Sequence, residues 1–185
     1  MSPLRLLPLL LALAGPATAA PQPYVLDGGA SRVAFTWTFG ADPVRGRMAV
    51  AGASLSLDLD DVGASQVSVA VDVTRADAGH PLATQAMTGP RVLDAADYPT
   101  ITFQSRRVTL VGDGQARIDG DIVIRGVTRP ITLDARLTSS TPDLSRLTVT
   151  LNGLIHRSDF GATGWSDLVG DDVRLDIVAA LRAAG

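Results

Sequence analysis

The stretch SRVAFTWTFG, residues 31–40, alternates apolar and polar side chains over most of its length. Side chains two residues apart share one face of an extended strand, so one face of this stretch carries Val33, Phe35, Trp37 and Phe39. Three of these four residues are aromatic, although aromatic residues make up only 4% of the chain. The pattern predicts a half-buried β-strand whose aromatic face contacts something apolar.

The same alternation recurs along the rest of the chain. It predicts further strands at 44–50, 54–60, 66–73, 101–110, 116–124, 131–137, 147–151 and 173–181. Between Ala76 and Tyr98 the apolar residues instead follow helical spacing, with a break at Gly89-Pro90. Short strands without a parallel crossover pattern predict an all-β, antiparallel fold, closed as a barrel or split into a sandwich, with one helical insert.

The charged residues are of two kinds only. All 16 basic residues are arginine and all 19 acidic residues are aspartate, so lysine and glutamate, two good helix formers, are absent. The formal net charge is −3 and no basic run occurs, so we do not expect a nucleic-acid partner. Without cysteine, no disulfide is available to stabilise the fold.

The first residues resemble an export signal. Residues 1–5 are short and positively charged, residues 6–13 are almost continuously apolar, and Ala17 and Ala19 are the small residues that a signal peptidase requires. We therefore expect residues 1–19 to be a signal peptide, residues 20–185 to form a single domain, and the protein to be periplasmic.

The interior of the predicted barrel decides what the protein can do. A barrel of about eight strands can be filled by its own side chains or can hold one ligand. Many residues predicted to point inward are Val, Ala or Gly, which are too small to meet at the axis. The sequence therefore predicts an unfilled apolar interior, with Phe35, Trp37 and Phe39 as a wall facing an apolar guest. Ordinary packing of these three side chains in a closed core is the alternative.

Three motifs carry a family resemblance. They are YPTITFQSRRV (98–108), IDGDIVIRGVTRPITLDARL (118–137) and IHRSDFG (155–161). In this order they resemble the YceI-like family of exported bacterial proteins, and the resemblance extends from Tyr24 to Arg182. It implies a lipocalin-like antiparallel β-barrel of about eight strands with a short helical insert. It also implies a polyisoprenoid chain along the interior, as an isoprenoid pyrophosphate or an isoprenoid quinone.

The chain departs from the family pattern at the predicted barrel mouth. Family members often have a histidine before the glycine that closes the first long strand, whereas this chain has Thr38-Phe39-Gly40. Many also open the insert with Asp-x-His-Leu, whereas this chain has Gly79-His80-Pro81-Leu82. These departures concern the head group of the ligand more than the fold.

The predicted ligand contacts come from the alternating strand faces, the insert and the segment after residue 155. They are Val33, Phe35, Trp37, Phe39, Val69, Val71, Met87, Val92, Leu93, Ile101, Phe103, Ile122, Ile124, Leu133, Leu151, Arg157, Phe160 and Trp165.

Several of these residues have a purely structural alternative. The insert residues Met87, Val92 and Leu93 either cap the cavity or plug the barrel end. Arg157 either faces an anionic or carbonyl head group or pairs with Asp159 to fix a turn. Phe160 and Trp165 either close the pocket or pack in a hairpin.

Two further charged sets have a structural and a functional interpretation. Arg125 and Arg129 bracket a turn, which we expect to be solvated rather than to bind phosphate. Asp58, Asp60 and Asp61 resemble the start of a calcium loop, but the loop glycine and the distal glutamate are missing. We expect these aspartates to end a strand in solvent.

Catalytic motifs are not recognisable in this sequence. The two histidines, His80 and His156, lack zinc-site spacing, and no G-x-S-x-G motif or cysteine nucleophile occurs. We expect no enzymatic activity, no catalytic or metal-binding residue, and no cofactor besides a bound isoprenoid lipid or quinone.

Three classes of function remain. The sequence favours an exported isoprenoid-lipid binding or carrier protein, a monomer or homodimer that transiently contacts a membrane surface or a membrane cytochrome. The alternatives are a quinone-linked redox accessory of a membrane cytochrome and a ligand-free structural or stress-protective barrel.

Overall fold

The computed structural model describes residues 21–184, which form one antiparallel β-barrel. The predicted signal peptide, residues 1–19, lies outside the described residues. The strands are β1 (Gln22–Leu26), β2 (Arg32–Phe39), β3 (Asp42–Leu57), β4 (Gln66–Asp77), β5 (Thr100–Gly112), β6 (Gln115–Ile124), β7 (Val127–Ser140), β8 (Arg146–His156) and β9 (Asp172–Ala183). The described residues also include one α-helix, α1 (Pro81–Thr88), and 3-10 helices at Val62–Ala64 and Arg157–Phe160.

Backbone pairing closes the sheet on itself. The strand order is β1-β3-β2-β9-β8-β7-β6-β5-β4, and β3 also pairs with β4. β1 and β2 both pair with β3 on one side and β9 on the other, at different levels, so they lie end to end in one position of the wall. The wall is therefore eight strands around, which confirms the predicted lipocalin-like barrel of about eight strands.

One long strand replaces two predicted strands. Residues 44–50 and 54–60 were expected to be separate, but β3 runs unbroken over Asp42–Leu57. Its pairing with β4 shifts register between Arg47 and Ala49 and again between Val50 and Gly52. These bulges change which residues face inward, so that Val50 and Leu55 both line the interior. The alternation of inward and outward side chains changes phase at a bulge. The sequence pattern therefore predicts two strands where the structure has one.

The connecting segments fall into two groups at opposite ends of the barrel. The helix end comprises residues 40–41, 78–99, 125–126 and 157–171, and the far end comprises residues 58–65, 113–114 and 141–145. Pairing between the ends of neighbouring strands fixes this arrangement, as in Phe39 with Asp42 at the helix end and Gly112 with Gln115 at the far end.

The helical insert is shorter than its apolar spacing predicts. His80 caps α1 by accepting a 3.2 Å hydrogen bond at Nδ1 from the backbone N–H of Leu82, and Pro81 occupies the first turn. The helix ends before Gly89-Pro90, and Val92 and Leu93 lie in the turns that follow, so the expectation of helix beyond Thr88 is wrong. Within the described residues, no helix has the length and apolar character needed to cross a membrane.

Buried apolar side chains form two clusters against the barrel wall. One cluster consists of Val108, Ile118, Ile122, Ile124, Ile131, Leu133, Ala135 and Phe160. The second lies toward the far end and consists of Tyr24, Leu55, Leu147 and Leu181. The Tyr24 hydroxyl donates a 2.9 Å hydrogen bond to the carbonyl of Leu144, which ties β1 to the far-end turn.

Two inward-facing rings lie directly over glycines. A side chain at Gly120 would place its Cβ 2.6 Å from the ring of Phe103, and a side chain at Gly46 would likewise collide with the ring of Phe35. Cβ atoms in proteins essentially never come this close to another heavy atom. Both positions therefore require glycine, because any side chain would collide with the ring. The rings can thereby lie flat against the wall.

Substitution of Gly120 by alanine tests this packing. We expect Gly120→Ala to lower the free energy of unfolding by about 1–3 kcal/mol, because the ring of Phe103 or the backbone of β5 must shift. The matched control is Gly52→Ala, where an added Cβ meets nothing within 4 Å. Chemical denaturation should show less than about 0.5 kcal/mol of change for the control. Equal effects of the two substitutions would contradict the contact.

Candidate functional site

The barrel encloses a cavity of about 1210 Å³ that extends from the far end to the helix end. Every strand contributes at least one side chain to its lining, as does α1. The lining is mostly Val, Leu, Ile and aromatic side chains. The volume lies above the ~300–1,000 Å³ of most small-molecule pockets. The predicted unfilled apolar interior is therefore present.

All of the predicted contact residues line this cavity. On the strands they are Val33, Phe35, Trp37 and Phe39 of β2, Val69 and Val71 of β4, Ile101 and Phe103 of β5, Ile122 and Ile124 of β6, Leu133 of β7 and Leu151 of β8. At the helix end they are Met87, Val92, Leu93, Arg157, Phe160 and Trp165. Their contact with a ligand stays a prediction.

The three aromatic side chains of β2 all line the cavity but differ in burial. The side chain of Phe35 is buried at 5% exposure, with its ring over Gly46, so this residue packs into the wall. Trp37 is partly buried and Phe39 is exposed at the helix end. The aromatic face thus runs from packed core to open mouth along one strand.

The indole N–H of Trp37 is an unusual polar group in this wall. Its Nε1 atom is buried and has no hydrogen-bond acceptor among residues 21–184. A buried N–H without an acceptor costs about 1–3 kcal/mol. Since this atom has almost no accessible surface although the cavity is open, the N–H points into the wall and not into the cavity.

Arg157 holds the segment that follows the 3-10 helix Arg157–Phe160. Its buried guanidinium donates from Nε to the carbonyl of Gly170 at 3.0 Å, from Nη1 to Ala162 and Gly164, and from Nη2 to Val169 at 3.0 Å. The expected local pair with Asp159 is therefore wrong, because backbone carbonyls take these N–H groups. Burial lowers the pKa of the guanidinium, and the charge of Asp171 opposes this shift.

Arg125 also differs from the solvated turn expected of it. Its Nη1 donates to the carbonyl of Gly161 at 2.7 Å and its Nη2 to the carbonyl of Pro90 at 3.1 Å, with an Asp94 oxygen 3.9 Å away. It joins the insert to the segment after β8. Arg129, by contrast, is exposed and donates to the adjacent carbonyl of Thr128, as a solvated turn residue would.

The aspartates after β3 form a turn and do not simply end a strand in solvent. Asp58 is buried, and its Oδ1 accepts hydrogen bonds from the backbone N–H groups of Asp60 and Asp61 at 3.0 and 2.8 Å. Its own N–H donates to Ser65 Oγ at 2.9 Å. No group of three or more His, Cys, Asp or Glu residues within 21–184 is arranged to hold a metal ion.

β3 and β9 line the cavity, but the sequence analysis selected no contact residue from either strand. Their lining residues include Val44, Met48, Val50 and Leu55 of β3 and Val173, Leu175, Ile177, Ala179 and Leu181 of β9. Both sets alternate within the strands predicted at 44–50, 54–60 and 173–181, so alternation could have identified them.

Arg157 offers a test of how the helix end is held together. We expect Arg157→Lys to lower the free energy of unfolding by about 2–4 kcal/mol. The single ammonium group of lysine cannot donate to all four backbone carbonyls that the guanidinium reaches. Hydrogen exchange should also accelerate in residues 162–170. The control is Arg129→Lys, for which we expect a change within about 0.5 kcal/mol. Unchanged exchange in Arg157→Lys would contradict this role.

Comparison with known proteins agrees with the geometry. Solved structures with the same fold include Burkholderia cenocepacia BcnA, with a TM-score of 0.76 and 20% identity over 84% of this chain and 99% of that chain. Another is a polyisoprenoid binding domain from Saccharophagus degradans implicated in plant cell wall breakdown, with a TM-score of 0.63 and 17% identity over 87% and 98% of the two chains.

Sequence relatives lead to the same family. A UPF0312 protein of Vibrio vulnificus is 30% identical over 138 residues, covering 73% of each chain. A UPF0312 protein of Vibrio parahaemolyticus is 29% identical over the same length and coverage. The model of the YceI-like domain matches residues 24–181. This chain therefore belongs to the YceI-like family.

Proposed function

We propose that this protein binds an isoprenoid lipid, a polyprenyl chain or an isoprenoid quinone, and carries it with the apolar chain inside the barrel. The observation that carries the proposal is the apolar cavity of about 1210 Å³ that runs from one end of the barrel to the other. An elongated apolar space suits a long hydrocarbon chain better than a compact ligand.

The size of the cavity argues for a guest. At roughly 24 cal/mol per Å³, an empty apolar space of this volume would cost on the order of 30 kcal/mol. A whole domain is stable by only about 5–15 kcal/mol. The space must therefore be occupied in solution, and an apolar lining offers water few hydrogen-bond partners. A group the size of a water molecule takes up ~30 Å³, so the cavity accommodates on the order of 40 such groups.

The relatives support the chemical class of the guest. The Saccharophagus degradans structure is described as a polyisoprenoid binding domain, and it shares this fold along nearly its whole length. An isoprenoid chain has methyl branches at regular intervals, which match a wall of alternating Val, Leu and Ile side chains.

The other two functional classes fit the cavity less well. A structural barrel requires a filled interior, whereas here the inward side chains leave the axis open. A quinone-linked redox accessory would use the same cavity, and turnover of a quinone by the isolated protein would support that alternative. Our proposal needs no catalytic step.

The proposal includes the periplasm, because residues 1–19 have the pattern of an export signal. It also includes loading at a surface. Each buried methylene contributes ~0.8 kcal/mol, so a long isoprenoid chain would not escape into water on a useful timescale. Delivery therefore requires direct contact with a membrane or with another protein.

Filling the cavity by mutation tests the proposal directly. We expect Ala179→Trp, which adds an indole to the inward face of β9, to fold normally and to lose most of its bound lipid. The control is Ala34→Trp, because Ala34 lies between the inward Val33 and Phe35 and faces outward. Solvent extraction of freshly purified protein followed by mass spectrometry measures the lipid. An extract without isoprenoid from the unmodified protein would contradict the proposal.

The role of Trp37 gives a second test. We expect Trp37→Ala to weaken retention of any isoprenoid by roughly tenfold or more, because an aromatic wall residue is lost. We expect Trp37→Phe to retain most of the lipid, because an aromatic ring remains at this position of the wall. Leu154→Ala, at an exposed position outside the cavity lining, is the control. Equal retention of lipid by Trp37→Ala and Leu154→Ala would contradict the role of the ring.

A further inference from the structure

The mouth of the cavity at the helix end is surrounded by exposed apolar side chains. They are Phe39 at the end of β2, Leu82 on α1, and Trp165 and Leu168 in the segment after the 3-10 helix Arg157–Phe160, with exposures of 51, 71, 38 and 53%. All four also line the cavity. We call these four residues the helix-end rim. Its apolar surface is therefore continuous with the apolar interior.

The far end also has exposed leucines, but its charge is different. Leu59, Leu110, Leu137 and Leu144 are exposed there and line the cavity. The far-end turns, residues 58–65, 113–114 and 141–145, contain five charged residues, and all of them are aspartates: Asp58, Asp60, Asp61, Asp113 and Asp143. These turns therefore contain no cation that could meet a lipid phosphate.

The helix end combines an aromatic and a basic anchor. The guanidinium of Arg91 lies 4.7 Å from the ring centre of Trp165, and both side chains are exposed. Trp and Arg are enriched where proteins meet the polar layer of a membrane, because the ring sits at headgroup level and the cation meets phosphate.

Exposed carboxylates outnumber exposed guanidinium groups at the helix end as well. Arg157 is buried and Arg125 lies near Asp94. Asp97, Asp159, Asp167 and Asp171 remain as acidic residues of these segments. This end therefore has no net positive charge to attract an anionic membrane, and apolar contact must supply most of the binding.

Three of the four rim residues, Leu82, Trp165 and Leu168, lie in segments that connect strands, and Phe39 is the last residue of β2. α1 has no buried residue, and the segment after β8 is held by the guanidinium groups of Arg157 and Arg125. The rim therefore lies at the ends of the strands, where its exposed side chains can meet a flat surface.

We propose that the helix-end rim docks this protein onto the surface of a phospholipid bilayer, with Phe39, Leu82, Trp165 and Leu168 inserted at headgroup level. This inference rests on the proposed function. It further specifies that the lipid enters and leaves through the helix end of the barrel. Docking in this orientation brings the cavity mouth against the acyl layer, so an isoprenoid chain moves between bilayer and barrel without crossing water.

Flotation with phosphatidylcholine vesicles tests the docking. We expect the full-length mature protein to float with the vesicles at both low and high salt, because binding is mainly apolar. We expect the double variant Leu82→Asp/Leu168→Asp to bind at least roughly tenfold more weakly. The matched control, Leu110→Asp/Leu137→Asp, makes the same change at exposed leucines of the far mouth and should float like the unmodified protein.

Several results would overturn the docking. These are failure of the unmodified protein to float, unchanged flotation of the helix-end variant, or equal loss in both variants. Circular dichroism establishes that each variant is folded.

Lipid content separates this inference from the proposed function. After loading from detergent micelles, the helix-end variant should hold as much isoprenoid as the far-end variant, because each variant places two carboxylates at one mouth of the same cavity. Its uptake from vesicles should be slower than that of the far-end variant. Protein that holds isoprenoid but never floats would refute the docking alone, whereas protein that floats but holds none after micelle loading would refute the proposed function.

Discussion

Closure of the barrel depends on the backbone pairing of β3 with β4. Without this pairing, β4 would be an exposed edge strand, and an edge with unpaired N–H and C=O groups is prone to aggregate. With it, the wall is eight strands around. A barrel of this size can be filled by side chains or can hold one ligand. Here a lining that is mostly Val, Leu, Ile and aromatic side chains still leaves about 1210 Å³ open, so strand number is enough to account for the cavity.

Backbone N–H and C=O groups outside the strands find hydrogen-bond partners in different ways at the two ends of the barrel. At the far end, short turns are held by aspartates that accept hydrogen bonds from nearby backbone N–H groups, as at Asp58. The carboxylate of Asp143 accepts hydrogen bonds from Ser145 in the same way, and hydrogen bonding to the side chains of Thr141 and Ser145 lowers its pKa to about 2. At the helix end, long segments expose many carbonyls, and the guanidinium groups of Arg157 and Arg125 donate to them. One end therefore consists of short turns held by aspartates, whereas the other is built from longer segments held by arginines.

Much of the fold could be predicted because alternation is a local property. The side chains of β2 point inward as residues 31–40 indicate, and the inward faces of β4 to β8 follow in the same way. The prediction failed where a local pattern is overridden by contacts distant in sequence. The bulges of β3 depend on its register with β4, and Arg157 finds its acceptors as many as 13 residues later. The burial of Asp58 likewise depends on a turn that closes back to Ser65. None of these contacts has a spacing that the sequence alone reveals.

A crystal structure of the protein purified together with its native lipid would test the central claim most directly. The account predicts continuous, rod-like density along the barrel axis, in contact with Trp37 toward the helix end and with Leu147 toward the far end. It would be contradicted by an interior in which the inward side chains meet across the axis and leave no space for an extended hydrocarbon.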